Sequence, residues 1–152
     1  MSPVDLLRFI PFRINRLAEE ISRDLSTNYA DRFGIDIAEW RILATLGMRE
    51  PRTAQFIAKC TRTHKSKISR AVMRLALAGL IETGPNGETR RETPLKMTKK
   101  GRALYEKLAP VVLEYERRLL EGLTNAEING LVKGLDRLEK RMGLVQSPDE
   151  CS

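Results

Sequence analysis

Between Pro51 and Ile81 the chain contains no aspartate or glutamate, yet it carries Arg52, Lys59, Arg62, Lys65, Lys67, Arg70 and Arg74. A disordered basic tail would have no apolar rhythm. Here Phe56, Ile57 and Ala58, and then Ile68, Val72 and Leu75, recur at helical spacing. The pattern predicts two short helices joined by a tight break at Thr61 to His64, with Thr63 as N-cap of the second. On that second helix the apolar residues form a core-facing stripe, which leaves His64, Lys67, Arg70 and Arg74 on the opposite side. Ordinary solvated faces mix both signs of charge. A helix with one dry face and one acid-free basic face suits a polyanion, and the major groove of DNA admits a helix of this size.

The charge is localised. Residues 34–101 hold 14 Lys/Arg against 6 Asp/Glu, a net of +8, whereas the rest of the 152-residue chain nets −1. The overall pI near 9.7 falls in the range of nucleic-acid binders. Apolar content of 41% is enough for a core in one compact domain or two small lobes. No 18-residue apolar run and no signal peptide at Met1 to Phe12 are visible, so the expectation is a soluble, cytoplasmic protein with no membrane partner. Cys60, Cys151 and His64 are too few for a structural zinc site, and neither a metal nor another cofactor is expected. A disulfide framework is not expected either. Cys60 reads as a small buried residue at a helix end, and Cys151 lies in a polar tail. There is no Gly-rich phosphate loop and no nucleophile motif, which argues against an enzyme.

Several helices frame the basic segment. Ser2-Pro3 is a candidate start for a short first helix, and Pro11 should kink or restart it. Ile10, Ile14, Leu17, Ile21 and Leu25 then mark a long helix ended by Gly34. Asp36 and Glu39 make a capping-box signature before Ile37, Trp40, Ile42, Leu43 and Leu46. After the basic helix, Leu80 to Thr83 and Pro94 to Met97 read as strands around the turn signal Gly84-Pro85-Asn86-Gly87. Such a hairpin, with Arg90 and Arg91 near its tip, looks like a wing that reaches the phosphate backbone or the minor groove. The plain alternative is a solvent loop with its arginines paired to Glu88 and Glu92. Thr98 opens another long helix, interrupted by Pro110, and Thr124 with Glu127 opens the last one, ended by Gly143.

The predicted fold class is mostly α with a small β-hairpin wing, an α+β winged helix-turn-helix. It divides into a dimerisation helix over 1–34, a DNA-binding lobe over 35–101, dimerisation helices over 102–145 and a disordered tail over 146–152. The terminal helices bear longer apolar stripes than so small a lobe can cover. Exposed patches of that extent mark an interface, and a two-fold homodimer closes it most simply. A dimer also presents two basic helices to a pseudo-palindromic duplex site.

Glu39-Trp40-Arg41-Ile42-Leu43, Phe56-Ile57-Ala58, Ser66 through Leu75 followed by Gly79-Leu80-Ile81, and Arg90-Arg91 followed by Leu95 through Gly101 occur in an order and spacing that resembles the MarR (multiple antibiotic resistance regulator) family of winged-helix transcription factors. Glu88-Thr89 stands where that family usually carries an aspartate. The resemblance implies a homodimeric repressor or activator. It also implies a small molecule, often a phenolic or aromatic carboxylate, bound between the dimerisation helices and the winged lobe.

For DNA the expected contacts are Ser66, Lys67, Ser69 and Arg70 in the major groove. Thr63, His64 and Lys65 should meet phosphate at the helix N-terminus, Arg74 the backbone, and Arg90 and Arg91 the wing contacts. Arg16, Tyr29 and Trp40 lie on the helices that should frame an effector cleft, although for Trp40 a plain core role is the favoured reading. The competing readings are a basic module that binds nucleic acid by charge alone and a winged-helix adaptor for other proteins. The first lacks stacking aromatics, since its basic segment contains only Phe56.

Overall fold

A computed structural model describes residues 2–84, 92–144 and 147. Arg90 and Arg91, the rest of the expected wing tip at 85–91, and nearly all of the expected tail lie outside the described residues. The element order is α1 (Ile10–Phe33), α2 (Ile37–Met48), β1 (Arg52–Thr53), α3 (Ala54–Thr61), α4 (Lys65–Leu77), β2 (Ile81–Thr83), β3 (Pro94–Met97), α5 (Lys99–Leu119) and α6 (Asn125–Arg141). The fold is mostly helical with a three-stranded antiparallel sheet in the order β1-β3-β2.

The helix ends follow local chemistry. Gly34 closes α1 at φ 67, a left-handed conformation that glycine adopts without steric cost, and its N–H reaches the Ala30 carbonyl. The Asp36 carboxylate accepts from the Glu39 N–H at 2.8 Å while the Glu39 carboxylate accepts from the Asp36 N–H at 3.2 Å, so the capping box of α2 is complete. Thr124 and Glu127 repeat the device at α6. The short helix expected at Ser2-Pro3 is absent. Residues 6–8 form only a turn, and Pro11 sits in the first turn of α1, where its missing N–H costs nothing. Strand β1 was not expected; it places Arg52 opposite Leu95 and Thr53 opposite Pro94.

One core holds the lobe together. Ile42, Leu43 and Leu46 of α2, Ile57 of α3, Ile68, Ala71 and Leu75 of α4, and Leu95 and Met97 of β3 are buried in it. Tyr29 from α1 and Leu108 from α5 are buried in the same cluster. The helices expected to serve dimerisation therefore also complete the lobe's core. In contrast, α6 buries none of its residues within the chain.

Cys60 is half-buried and disulfide-bonded, against the expectation of a plain buried thiol. The chain's other cysteine, Cys151, lies outside the described residues.

Helix α5 meets the end of α4 at close range. The Thr98 hydroxyl donates to the Gly79 carbonyl at 2.6 Å, the Thr98 N–H to the Leu80 carbonyl at 3.1 Å, and Lys100 Nζ to the Ala78 carbonyl at 2.9 Å. Gly101 is buried there, and a methyl at this position would collide with the Leu80 carbonyl oxygen and carbon, both backbone atoms that yield little. Overpacking of this kind costs about 1–3 kcal/mol, so Gly101→Ala is expected to lower the melting temperature by about 3–10 °C. A thermal melt within 1 °C of the parent protein would refute this account of the α4–α5 junction.

Candidate nucleic-acid interface

Helix α4 is divided along its length. Ile68, Ala71 and Leu75 are buried, while Lys65, Ser66, Lys67, Ser69, Arg70 and Arg74 are exposed. These exposed residues are the ones expected to meet DNA, and the fold displays them together on one side of the lobe. His64 is also exposed and Thr63 is half-buried.

The start of α4 differs from expectation. The N-cap is His64, whose Nδ1 accepts from the Ser66 N–H at 3.1 Å and lies 2.7 Å from the Ser66 hydroxyl. Thr63 is occupied elsewhere. Its hydroxyl accepts from Arg41 Nη1 at 2.9 Å and stands 2.9 Å from the Thr61 hydroxyl. Sequence alone favoured Thr63 because threonine is a common cap, and it had no means of knowing that an arginine 22 positions upstream claims that hydroxyl. Arg62, just before this turn, has φ 53, a left-handed conformation uncommon for a residue with a side chain.

Arg74 does not stand free. Its guanidinium lies 2.6 Å from Asp36 and 3.5 Å from Glu39, so the two carboxylates that cap α2 also hold the side of α4. Burial pushes the Glu39 carboxyl up from its ordinary value of 4.5, and Arg74 is among the groups pulling it back down. Lys67, Arg70 and Arg74 border a cleft of about 470 Å³ against Ser26 and Ala30 of α1 and Ile37 of α2.

At the base of the wing, the Glu50 carboxylate accepts from the Met97 N–H at 3.0 Å and pairs with Arg102 of α5. Arg52 of β1 lies over the Phe56 ring, 4.2 Å from its centroid. This ties the sheet to α3 and α5 before the chain leaves the described residues at Gly84.

The candidate effector residues separate. Tyr29 and Trp40 stack with ring centroids 6.0 Å apart. Tyr29 is 1% exposed, and burial raises its hydroxyl above 10.0. A ligand reaches it only if something moves. Arg16 lies about 20 Å further along α1, at 1.5 Å per residue, and sits over the Phe12 ring instead. Within one chain these three do not form a site. The clefts at the lobe junction are lined by other residues. A polar one of about 660 Å³ between α1 and α5 is bordered by Asp24, Asn28, Arg32, Tyr115 and Arg118. Among the described residues no cluster of three metal-ligating side chains occurs. No helix among them is long and apolar enough to cross a membrane.

A crystallised MarR/EmrR family transcriptional regulator from Acinetobacter sp. ADP1 superposes with a TM-score of 0.82 at 30% identity, over 92% of this chain and 99% of that one. The chain belongs to the MarR family of transcriptional regulators. A MarR family profile also matches residues 33–92, the stretch that contains α2 through β2. The transcriptional repressor IacR of Pseudomonas putida is 28% identical over 105 residues, which is 69% of this chain and 63% of that protein, less than two thirds of its length. BpsR of Bordetella bronchiseptica, whose DNA binding is regulated by 6-hydroxynicotinic acid, shares the fold with a TM-score of 0.79 at 19% identity, over 91% of this chain and 98% of that one. The family is one of winged-helix DNA-binding regulators and not of enzymes.

The Arg74 contacts carry a pH signature. Without Arg74, Glu39 loses a counter-charge and its folded-state pKa rises further above the unfolded value. A raised carboxyl favours the fold below the unfolded pKa and loses that advantage as pH climbs through the folded one. Arg74→Ala should therefore lower the melting temperature by about 2–4 °C at pH 7, given about 1 kcal/mol for a partly exposed pair, and the deficit should narrow as pH falls toward 4. Thermal melts of both proteins at the two pH values check this, and a deficit that stays constant or widens on acidification would contradict it.

Proposed function

We propose that this chain is a homodimeric, sequence-specific DNA-binding repressor, released from its site by a small aromatic or phenolic acid. The observation that carries the DNA part is the exposed, acid-free face of α4, held on a lobe whose core fixes its direction. Lys65, Lys67 and the wing arginines Arg90 and Arg91 supply phosphate attraction and the salt dependence of binding. Ser66, Ser69 and Arg70 reach base edges, with Arg70 suited to the bidentate pairing that guanidinium makes with guanine. His64 and Thr63 hold the helix N-terminus, where unpaired N–H groups favour a phosphate.

The dimer reading is supported by apolar surface without a partner in the chain. Ile10, Ile14 and Leu17 of α1, Leu113 and Leu119 of α5, Leu131, Leu135 and Leu138 of α6, and Met142 just after it are all exposed large hydrophobic residues. A 17-residue amphipathic helix that buries nothing within its own chain calls for a second surface, and a second copy offers the same one in return. Two copies of α4 then address two half-sites about one helical turn apart. The effector reading is supported by the neighbour that answers to 6-hydroxynicotinic acid and by arginine-bordered clefts between α1 and the rest of the lobe. An acid bound there has different contacts in each arrangement of the lobes, which is what a shift in DNA affinity requires.

Two measurements test this. Arg70→Ala should weaken binding to a duplex enriched from a random pool by about 1–3 kcal/mol and leave random duplex much less affected. Equal losses on both would remove Arg70 from base reading. Sedimentation equilibrium should give the mass of two chains, and Leu131→Asp with Leu135→Asp should shift it to one. A single-chain mass for the parent protein would overturn the dimer.

A further inference from the structure

Arg41 is the one cation of α2 that points into the turn between the two helices of the DNA reader, and none of the functional roles above uses it. Its Nη1 donates to the Thr63 hydroxyl at 2.9 Å across 22 residues, in half-buried surroundings. The Thr61 hydroxyl has one proton and lies 2.7 Å from the Ile57 carbonyl, a shorter contact than the 2.9 Å to Thr63. Thr63 accepts from Arg41, and its own hydroxyl lies 3.4 Å from the Thr61 carbonyl, so Thr63 and Thr61 are bound to each other and to Ile57 of α3. An ordered path runs from the guanidinium on α2, through Thr63 and Thr61, to the backbone of α3. Thr63 immediately precedes the His64 cap of α4.

We infer that Arg41 is a positioning residue for base reading, which fixes the N-terminal end of α4 through Thr63 and refers that end to α2. The far end of α4 is already fixed by Thr98 and Lys100 of α5. With its core stripe, the Arg74 pair and its far end in place, α4 keeps its axis, and loss of Arg41 loosens only the first turn, which displaces Ser66, Lys67 and Ser69 from the bases while leaving the charge of the helix intact. Removing the Arg41 contact therefore costs specificity and spares the general attraction to DNA. The inference rests on the DNA-binding reading above.

Arg41→Gln and Thr63→Val are compared with the parent protein by fluorescence anisotropy, on a duplex enriched from a random pool and on a random duplex, over a series of salt concentrations. Each variant should bind the enriched duplex about fivefold to tenfold more weakly, as expected for loss of one charge-assisted hydrogen bond, and the random duplex less than about twofold more weakly. The double variant should be no worse than either single one, because both remove the same contact. Thr63→Ser should bind as the parent does. The salt slopes should stay unchanged, whereas a slope shallower by about one would show that Arg41 touches phosphate directly and would overturn the inference. Additive losses, or equal losses on the two duplexes, would overturn it as well. Should the parent protein itself show no preference between duplexes, the DNA-binding reading fails. Amide hydrogen exchange then decides the clamp alone: residues 61–66 must exchange faster in Arg41→Gln with the rest of the core unchanged, and unaltered exchange there would overturn it.

Discussion

Burial of Ile68, Ala71 and Leu75 against α2 and α3 decides which side of α4 meets water. Full burial of an Ile or Leu side chain is worth about 1.5–3 kcal/mol, so rotating α4 about its axis would forfeit several kcal/mol at once. Everything on the opposite face follows from that. Lys65, Lys67, Ser69 and Arg70 are exposed because the stripe between them is not. No carboxylate within the Pro51 to Ile81 stretch is available to neutralise the cations locally, and Arg74 is tied to acids at the start of α2. The lobe thus presents a stiff, positively charged rod whose orientation is set by core packing and not by the charges themselves.

Polar contacts then hold the rod at three places. Thr98 and Lys100 take up carbonyls that the end of α4 leaves unpaired, Arg74 joins its middle to the capping carboxylates of α2, and the Arg41 contact reaches the turn before its start. Each contact joins α4 to an element that continues into the terminal helices. Asp36 lies two residues after the glycine that closes α1, and Thr98 caps α5. The α4 helix is thus connected to the terminal helices through short, directional bonds.

Much of this was legible in the sequence because it depends on local rules. Capping boxes at Asp36 and Thr124, glycine stops after α1 and α4, and the hairpin strands around Gly84 all require only residues a few positions apart. The features that sequence missed depend on distant partners. Strand β1 exists because Arg52 and Thr53 find an edge of β3, which no local propensity signals. Thr63 lost the capping role to His64 because Arg41 takes its hydroxyl. Arg16, Tyr29 and Trp40 all lie on the framing helices, but 24 residues of α1 make a rod long enough to keep Arg16 apart from the other two. The disulfide at Cys60 had no local sequence signal.

The central claim is that the exposed lysines of α4 lie against DNA in the complex. Acetylation of individual lysines, followed by mass spectrometry with and without a saturating enriched duplex, reads this directly. Lys65 and Lys67 should become protected, while Lys133 and Lys140 on α6, exposed but far along the chain from the reader, should keep their reactivity. If Lys65 and Lys67 label as fast in the complex as in the free protein, α4 is not the DNA-reading element.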